Sequence, residues 1–261
     1  MRILLNGCFG RLCSSISTLA AAAPACCIAG GVPNTPADVP VSFPVYKRLG
    51  DIDIKAVAAD VIIDATNAAA LPGLLEFATA HKLPLVICTT GYSQGDLACI
   101  EAAARDIPIL RSANMSLGVN LLTTLIKIAT NTLVNHNFDI EISEAHHNKK
   151  KDSPSGTALL LANEANSVIE AIKGAPYAIN LDRSDAFAER DVNEIGISAR
   201  RGGNIVGEHS VLFAGHNEAI EISHTVFSRE VFAQGALAAA AFIKSKSAGL
   251  YSMHDVLNIL G

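Results

Sequence analysis

A short run from Glu144 to Thr157 collects the side chains of this sequence that are best suited to acid–base chemistry. It contains two adjacent histidines, His146 and His147, followed by lysines at positions 149–151. Histidine gains and loses a proton near neutral pH, and the lysines add positive charge. The run ends in Pro-Ser-Gly-Thr before a helical pattern, and a helix N-terminus offers unpaired N–H groups to an anion. The run therefore predicts a site for an anion that also needs a proton.

The elements on either side must hold this run in place. Phe138–Ser143 alternates apolar and polar residues, which predicts a half-buried strand, so that the histidines leave a sheet edge and enter a loop. A strongly helical stretch begins at Thr157, which places Ser155 and Gly156 at its start. The alternative interpretation is a solvated basic loop. We disfavour it because a helix start attracts anions without needing extra cations for stability.

The order Glu-Ala-His-His-x-x-Lys-x-Asp-x-Pro-Ser-Gly-Thr also resembles the signature of the dihydrodipicolinate reductases of the diaminopimelate and lysine pathway. The resemblance implies that His146 is the general acid and that Lys150 is its partner, which helps to expel a 4-hydroxyl group and holds a carboxylate. It implies that His147 binds substrate. The second carboxylate would lie at the helix start, on Ser155, Gly156 and Thr157.

Composition limits the class of protein. The 261 residues are 50% hydrophobic and 17% charged, which is typical of an α/β chain with one large domain or two smaller ones. A net charge of −5 argues against a nucleic-acid partner. The N-terminus enters a strand without a signal pattern, and no long apolar span follows, so we expect a cytoplasmic protein with no membrane partner. Six cysteines without a Cys-x-x-Cys pair predict reduced thiols and no metal site.

The first half of the chain predicts a dinucleotide-binding fold. Arg2–Asn6 is a short apolar strand, followed by a glycine-containing turn and an Ala-rich helix through about Ala22. Glycines in such a turn let the backbone approach a pyrophosphate at the helix start. Spacing alone fits a tight structural turn equally well, because Cys13 replaces the third glycine of the usual motif. The residues expected to contact the cofactor are Gly7, Cys8, Phe9, Gly10, Arg11 and Leu12.

The second strand bears on the choice of cofactor. We predict this strand at Ala25–Ala29, and an acidic residue at its end would hold the ribose hydroxyls. Gly30 and Gly31 follow instead, and Asp38 lies too far into a Pro-rich loop to replace that residue with confidence. The sequence therefore leaves both NADH and NADPH open as cofactors.

Strands that alternate with helices continue through Leu110, which predicts a doubly wound parallel sheet with a crevice at the carboxyl ends of its strands. Three further loops resemble those of the reductases: Asp64-Ala65-Thr66, Cys88-Thr89-Thr90-Gly91 and Ala113-Asn114-Met115-Ser116. The cofactor-binding residues expected in these loops are Thr66, Cys88, Thr89, Thr90, Ser112, Ala113, Asn114 and Met115.

The second half predicts a different architecture. Strands at Glu194–Arg200, Ile205–Ala214 and Glu218–Phe227 join Phe138–Ser143 in a mixed, mostly antiparallel sheet. One helix layer is available for one face, so we expect a partner chain on the other. The resemblance implies a homotetramer built through this sheet. Arg201, beside the turn that follows its strand, could reach an anionic substrate.

The expected fold class is thus α/β, with a Rossmann-like doubly wound parallel sheet and a second α+β domain. Residues 1–117, completed by 228–261, would form the dinucleotide-binding domain. Residues 118–227 would form the substrate-binding and oligomerisation domain. The return of the C-terminal segment to the first domain is implied by the resemblance.

The resemblance also implies an activity: reduction of the small dicarboxylate 4-hydroxy-tetrahydrodipicolinate to tetrahydrodipicolinate by NADH or NADPH, with loss of water. Two alternatives remain open. A nicotinamide-binding regulatory protein could keep this fold with little turnover, as Gly30-Gly31 and the departures at Cys13, Cys88 and Met115 allow. The intact His146 and Lys150 argue against it, because a sensor needs no proton donor. The second alternative is a dehydrogenase for another small acid.

Overall fold

The computed structural model describes residues 1–35, 40–184 and 188–258, so Asp38 lies outside the described residues. The chain divides into two compact units. The first comprises Met1–Leu117 and Glu230–Gly261, and the second comprises Gly118–Arg229.

The strands, in chain order, are β1 Arg2–Asn6, β2 Cys27–Val32, β3 Val61–Asp64, β4 Leu85–Ile87, β5 Pro108–Arg111, β6 Asp139–His146, β7 Ala178–Asn180, β8 Glu194–Arg201, β9 Gly207–Ala214, β10 Ala219–Val226 and β11 Gly249–Tyr251. The helices are α1 Arg11–Ala22, α2 Ile54–Val57, α3 Leu71–Ala80, α4 Gln94–Ala103, α5 Leu117–Leu133, α6 Gly156–Lys173, α7 Glu230–Ile243 and α8 Met253–Leu257.

The first unit contains a parallel sheet with helices on both faces. Its strand order is β11-β5-β4-β3-β1-β2, and every pair is parallel. Successive side chains of a strand point to opposite faces. Leu4 accordingly packs in the core on the side of α3 and α4, whereas Ile3 and Leu5 pack in the core on the side of α1 and α7. The predicted doubly wound fold is confirmed.

Two details of this sheet differ from the sequence prediction. Strand β2 runs on to Val32, so Gly30 and Gly31 lie inside it and do not follow it. A β-carbon on Gly31 would lie 2.6 Å from the β-carbon of Cys8, so the close approach of β2 to the glycine turn requires a residue without a side chain. Strand β11 is too short for a sequence pattern, yet it pairs with β5 and completes the sheet.

The second unit contains a mixed sheet of strand order β10-β9-β6-β8-β7. The β9–β10 and β6–β9 pairs are antiparallel, whereas the β6–β8 and β7–β8 pairs are parallel. The pairs are therefore evenly divided, not mostly antiparallel. Helix α6 carries the chain from β6 across the sheet to β7, and β8 then lies between these two strands and parallel to both. Strand β7 lies in a segment that we predicted as a loop. Apolar residues of α5 and α6 pack on one face of this sheet.

Strand β6 is longer than predicted. It lies in the middle of its sheet and continues through Glu144, Ala145 and His146, all of them buried. His146 therefore ends a central strand and does not lie in a loop beyond a sheet edge. Pairing of β6 with β8 extends to His146 opposite Arg201, which fixes the backbone of the histidine.

Across the three described segments of the chain, no helix combines the length and the hydropathy that crossing a membrane requires.

Candidate active site

In the second unit, polar groups from β6, β8 and the start of α6 converge on the carboxylate of Glu144, which is fully buried. One carboxylate oxygen accepts hydrogen bonds from Arg201 Nη2 at 2.7 Å and from the backbone N–H of Ser155 at 2.9 Å. The other lies 2.7 Å from Arg201 Nη1 and 2.7 Å from His146 Nδ1. Burial alone would raise the pKa of Glu144, but the bonds from Arg201, His146 and Ser155 together hold it below its ordinary value.

His146 is held in place on several sides. Its Nδ1 atom faces Glu144, and its ring meets the ring of His209 edge-on, with centroids 5.2 Å apart. A β-carbon on Gly207 would lie 3.2 Å from His146 Nε2, so the absence of a side chain leaves room beside this nitrogen. With Nδ1 bonded to a carboxylate, Nε2 is the nitrogen that can pass a proton to a substrate.

Ser155 is the N-cap of α6, and its polar groups are occupied within the protein. Its Oγ accepts from the N–H of Ala158 at 3.1 Å and lies 2.9 Å from His209 Nε2, while its own N–H donates to Glu144. The side chain is buried, so the structure gives Ser155 a capping role where we expected contact with a substrate. Gly156 is exposed, and nothing lies within 4 Å of where its β-carbon would be. Thr157, next in the helix, is half-buried.

His209 was not singled out in the sequence. It lies on β9 opposite Glu144 and is buried. Burial, and next the neighbouring His146, lower the pKa of His209 to about 4, so this ring is neutral at neutral pH. Its Nδ1 atom has no hydrogen-bond partner within the described part of the chain.

Lys150 lies in the loop after β6, where its ammonium group is 2.8 Å from a carboxylate oxygen of Asp152. Its side chain is 20% exposed, whereas that of Asp152 is 60% exposed. The hydrogen bond from Lys150 lowers the pKa of Asp152. The ammonium group is thus anchored and partly desolvated, which strengthens its attraction for a carboxylate.

His147 and Arg201 have partners that the sequence did not indicate. Arg229 Nη2 lies 3.1 Å from His147 Nε2, so the ring nitrogen accepts from the guanidinium group. Partial desolvation and then the charge of Arg229 lower the pKa of His147. Arg201, which by its place in the sequence could reach a substrate, binds Glu144 through both terminal nitrogens and also donates to the carbonyl of Asp152. Its guanidinium group is therefore engaged inside the protein.

In the first unit the glycine turn after β1 has the geometry that a dinucleotide requires. Gly7 has φ +90°, and a β-carbon there would lie 2.5 Å from the carbonyl oxygen of Ala65, so only glycine fits. Gly10 precedes α1 and provides no side-chain cap. The first N–H groups of a helix have no partner within it, so those of Arg11 and Leu12 suit a phosphate.

One carboxylate, that of Asp64, ties the end of β1 to the loops after β3 and β4. Asp64 is fully buried and accepts from the Asn6 amide at 2.8 Å, the Thr66 hydroxyl at 2.7 Å and the Thr89 hydroxyl at 2.6 Å. The N–H of Thr66 in turn donates to the Thr89 hydroxyl at 2.9 Å. Burial raises the pKa of Asp64, and the hydrogen bonds from its neutral donors offset only part of the rise.

The remaining predicted cofactor residues differ in accessibility. Thr90 and Ala113 are exposed, and Phe9, Cys88, Ser112 and Asn114 are half-buried. Cys8 and Met115 are buried in the core, where Met115 packs near α7. Burial raises the pKa of both the Cys8 and Cys88 thiols, so neither is a reactive thiolate.

A cavity of about 540 Å³ opens beside the ends of β1 and β2. Asn6, Asn34 and Thr66 line it next to the glycine turn, and Lys47 and Arg48 line it further along. Asn34, not a carboxylate, follows β2, and its side-chain oxygen accepts from the Asn67 amide at 3.0 Å. The residues described in the structure contain no group of His, Cys, Asp or Glu arranged to hold a metal ion.

The family models for dihydrodipicolinate reductase match the chain in two parts. The N-terminus model matches residues 1–115, and the C-terminus model matches residues 118–257. Together they cover both compact units.

The chain is similar over nearly its whole length to proteins named 4-hydroxy-tetrahydrodipicolinate reductase. The one from Caldanaerobacter subterraneus subsp. tengcongensis is 45% identical over 257 residues, covering 98% of each chain. The one from Clostridium botulinum is 45% identical over 260 residues, covering 99% of each. A dipicolinate-bound dihydrodipicolinate reductase from Paenisporosarcina sp. TG-14 has the same fold, with a TM-score of 0.80 at 20% identity over 100% of this chain and 99% of its own.

Proposed function

The chain belongs to the dihydrodipicolinate reductase family, and from this premise we propose how its residues carry out the family's reaction. It is an oxidoreductase that uses NADH or NADPH to reduce 4-hydroxy-tetrahydrodipicolinate to tetrahydrodipicolinate in lysine and diaminopimelate biosynthesis. The overall change adds a hydride and a proton to the substrate and releases water.

The observation that carries the proposed mechanism is the hydrogen bonding around Glu144. One carboxylate holds Nδ1 of His146 and the N–H of Ser155 at the start of α6. A proton donor and an anion-binding helix start are therefore fixed to the same group. We assign His146 as the general acid, which protonates the carbanion or enamine that hydride addition leaves behind.

Positive charge for the dicarboxylate comes from the loop after β6 and from the helix. Lys150 binds one carboxylate and assists loss of the 4-hydroxyl group, since an ammonium group stabilises the leaving oxygen. The backbone N–H groups of Gly156 and Thr157 bind the second carboxylate, where the helix dipole favours an anion. Ser155 supports them as the N-cap. His147, next to the guanidinium group of Arg229, contributes a further polar contact to the substrate.

The residues of the first unit fit a nicotinamide dinucleotide, which supplies the hydride when bound. The turn from Gly7 to Leu12 would receive the pyrophosphate, because Gly7 keeps the turn open and α1 begins without a side-chain cap. Thr66 and Thr89, whose hydroxyls are held by Asp64, would line the part of the cofactor site that holds the nicotinamide ring, together with the loop from Ser112 to Met115.

Either cofactor form should be accepted. A carboxylate at the end of β2 would repel a 2′-phosphate, but Asn34 occupies that position. Lys47 lines the same cavity and adds a positive charge. Parallel binding titrations with NADPH and NADH test this point. Lys47→Ala should weaken the affinity for NADPH by about threefold to tenfold and leave the affinity for NADH unchanged. Equal effects on both cofactors would contradict it.

We also propose that the second unit assembles into a homotetramer. Strand β10 is an edge of the mixed sheet and has a mostly exposed surface, with Ile220 43% exposed and Phe227, just beyond it, 89% exposed. Edge strands of this length are normally paired or covered. Light scattering after size exclusion should give four times the chain mass of 27.3 kDa, and a monomer mass would refute the assembly.

A cytoplasmic location is part of the proposal. All six cysteines are free, which is typical of proteins in a reducing compartment. Fractionation of cells that express the chain should recover it with cytoplasmic enzymes, and recovery with extracellular or membrane fractions would contradict this.

One assay tests the function itself. The substrate is generated freshly by its synthase, and loss of nicotinamide absorbance is followed with NADH and NADPH in parallel. Turnover that depends on substrate supports the reductase. Cofactor binding without turnover would instead favour a regulatory protein, and turnover only with other small acids would favour a different dehydrogenase.

A further inference from the structure

We propose that Glu144 is a positioning residue that determines which ring nitrogen of His146 carries the transferable proton. The proposal deepens the proposed function, because it rests on His146 as the proton donor and names the group that prepares it.

The hydrogen bonds around Glu144 allow only one arrangement of protons. An ionised carboxylate can accept but cannot donate. The oxygen 2.7 Å from His146 Nδ1 is also 2.7 Å from Arg201 Nη1, a permanent donor. His146 Nδ1 must therefore carry a proton in both the charged and the neutral ring. The proton that the ring exchanges is consequently the one on Nε2.

The strand pairing keeps this carboxylate from turning away. Glu144 and His146 are two residues apart on β6, so their side chains point to the same face. In the parallel pairing with β8, His146 lies opposite Arg201, which brings the guanidinium group beside the carboxylate. Arg201 is itself anchored by the carbonyl of Asp152 at 2.7 Å. Both Glu144 oxygens are thus fixed by the same guanidinium group.

On its other side the imidazole has Gly207 and the ring of His209 as neighbours. Gly207 on β9 has no side chain, and a β-carbon there would come within 3.2 Å of Nε2. The ring of His209 packs edge-on against His146 and restricts its rotation. A neutral His209 does not repel the charged form of His146. These contacts leave Nδ1 bonded to Glu144, and no side chain of residue 207 covers Nε2.

The same carboxylate also supports the helix start, which makes the substitution Glu144→Gln informative. With its carbonyl oxygen on the N–H of Ser155 and on Arg201 Nη2, the glutamine still supports the helix start, so the anion site should persist, while the bond from Arg201 Nη1 is lost. Its amide group would replace the oxygen near His146, and an amide N–H cannot accept from Nδ1–H. The neutral ring is then expected to move its proton from Nδ1 to Nε2, so that Nδ1 becomes an acceptor.

The direct test is nitrogen NMR of the imidazoles in the intact wild-type protein, with the His146 signals assigned by their loss in His146→Gln. We expect the neutral ring of His146 to carry its proton on Nδ1, and Glu144→Gln to shift it to Nε2. A wild-type proton on Nε2, or no change in the variant, would overturn the proposal. The readout needs no turnover, so it stands apart from any failure of the reductase assay.

Kinetics provide the second test. Glu144→Gln should lower kcat by about 100-fold and change the substrate KM by less than about threefold. A neutral ring with its proton on Nε2 is a much weaker acid than an imidazolium held by a carboxylate, while the anion site remains. The matched control is Glu141→Gln on the same strand, which also removes a carboxylate bonded to arginines, here Arg183 and Arg190. It should keep wild-type kcat. Wild-type kcat in a folded Glu144→Gln variant, or an equal loss in the control, would overturn the proposal.

Discussion

Asp64 in the first unit and Glu144 in the second are both fully buried carboxylates near the carboxyl end of a strand. Asp64 is surrounded by uncharged donors, an amide and two hydroxyls, and burial raises its pKa. Glu144 receives a guanidinium group, an imidazole and a backbone N–H, and despite its burial its pKa is lowered. The two environments therefore act on the same chemical group in opposite directions.

The contrast between neutral donors at Asp64 and charged donors at Glu144 distinguishes two roles of a buried carboxylate, one structural and one chemical. Around Asp64 the donors come from the end of β1 and from the loops after β3 and β4, so the group fixes the shape of the surface that we propose binds the cofactor. Around Glu144 one donor is the proposed general acid, so the negative charge acts on the chemistry. A carboxylate that organises loops can work with neutral partners, whereas one that orients an imidazolium must remain ionised.

The largest expected effect falls on turnover in the second unit. His146→Gln and Lys150→Ala should each lower kcat by about 100-fold to 10,000-fold, because one removes the proposed proton donor and the other the positive charge proposed to assist loss of the hydroxyl. His146→Gln should change kcat more than KM. Steady-state kinetics check this, with Lys173→Ala at the far end of α6 as a control. If both variants turned over at wild-type rates, the assigned roles would be wrong.

The second-largest expected effect is on the free energy of unfolding, when a hydrogen-bond partner of Glu144 or of Asp64 is removed. Arg201→Met leaves the Glu144 charge buried without its main partner and should lower the free energy of unfolding by about 3–5 kcal/mol. Thr89→Val removes one neutral donor from Asp64 and should cost about 1–3 kcal/mol.

Urea unfolding measures both costs. Thr132→Val, at an exposed hydroxyl of α5, serves as a control that should stay within about 0.5 kcal/mol of wild type. Equal losses of unfolding free energy for Arg201→Met and Thr89→Val would contradict the distinction between the surroundings of Glu144 and those of Asp64.

A smaller effect concerns pH. The lowered pKa of Glu144 means that its stabilisation is present above its ordinary value of 4.5 and is lost as pH falls through the folded-state value. The raised pKa of Asp64 has the reverse sign: its contribution is fully present below 3.8 and is lost as pH rises through the folded-state value.

The stability difference between wild type and Glu144→Gln should therefore shrink on acidification, while that between wild type and Asp64→Asn should grow. Each change should be on the order of 1 kcal/mol. Unfolding of the three proteins in urea at a series of pH values measures both trends. Parallel trends would show that the two environments do not differ as described.

The sequence predicted the glycine turn and the order of strands and helices because these depend on local patterns. The turn at Gly7 follows an apolar strand directly, and the helix start at Gly156 follows Pro-Ser. Strands β7 and β11 were missed because each has only three, partly exposed residues, whereas the equally short β4 is a fully buried apolar run that the sequence does indicate.

The roles of Glu144 and Arg201 could not be predicted, because they depend on a contact between residues 57 positions apart in the sequence. One signal was present. Glu144 and His146 continue the alternation of Ile140 and Ile142, so all four point to the buried face of β6. A polar residue at a position where the strand's alternation predicts a buried apolar one is expected to have hydrogen-bond partners inside the protein. Asp64 carried the same signal at the end of an apolar strand.

The most direct test of the account is a steady-state comparison of Asp64→Asn with Glu144→Gln, two amide substitutions that preserve shape. We predict that Glu144→Gln lowers kcat by about 100-fold with an unchanged KM for the nicotinamide cofactor, because the proton donor is affected. Asp64→Asn should raise the cofactor KM by about tenfold with kcat nearly unchanged at saturation, because only the loops around Thr66 and Thr89 loosen. A loss of kcat in Asp64→Asn, or wild-type kcat in Glu144→Gln, would contradict the account.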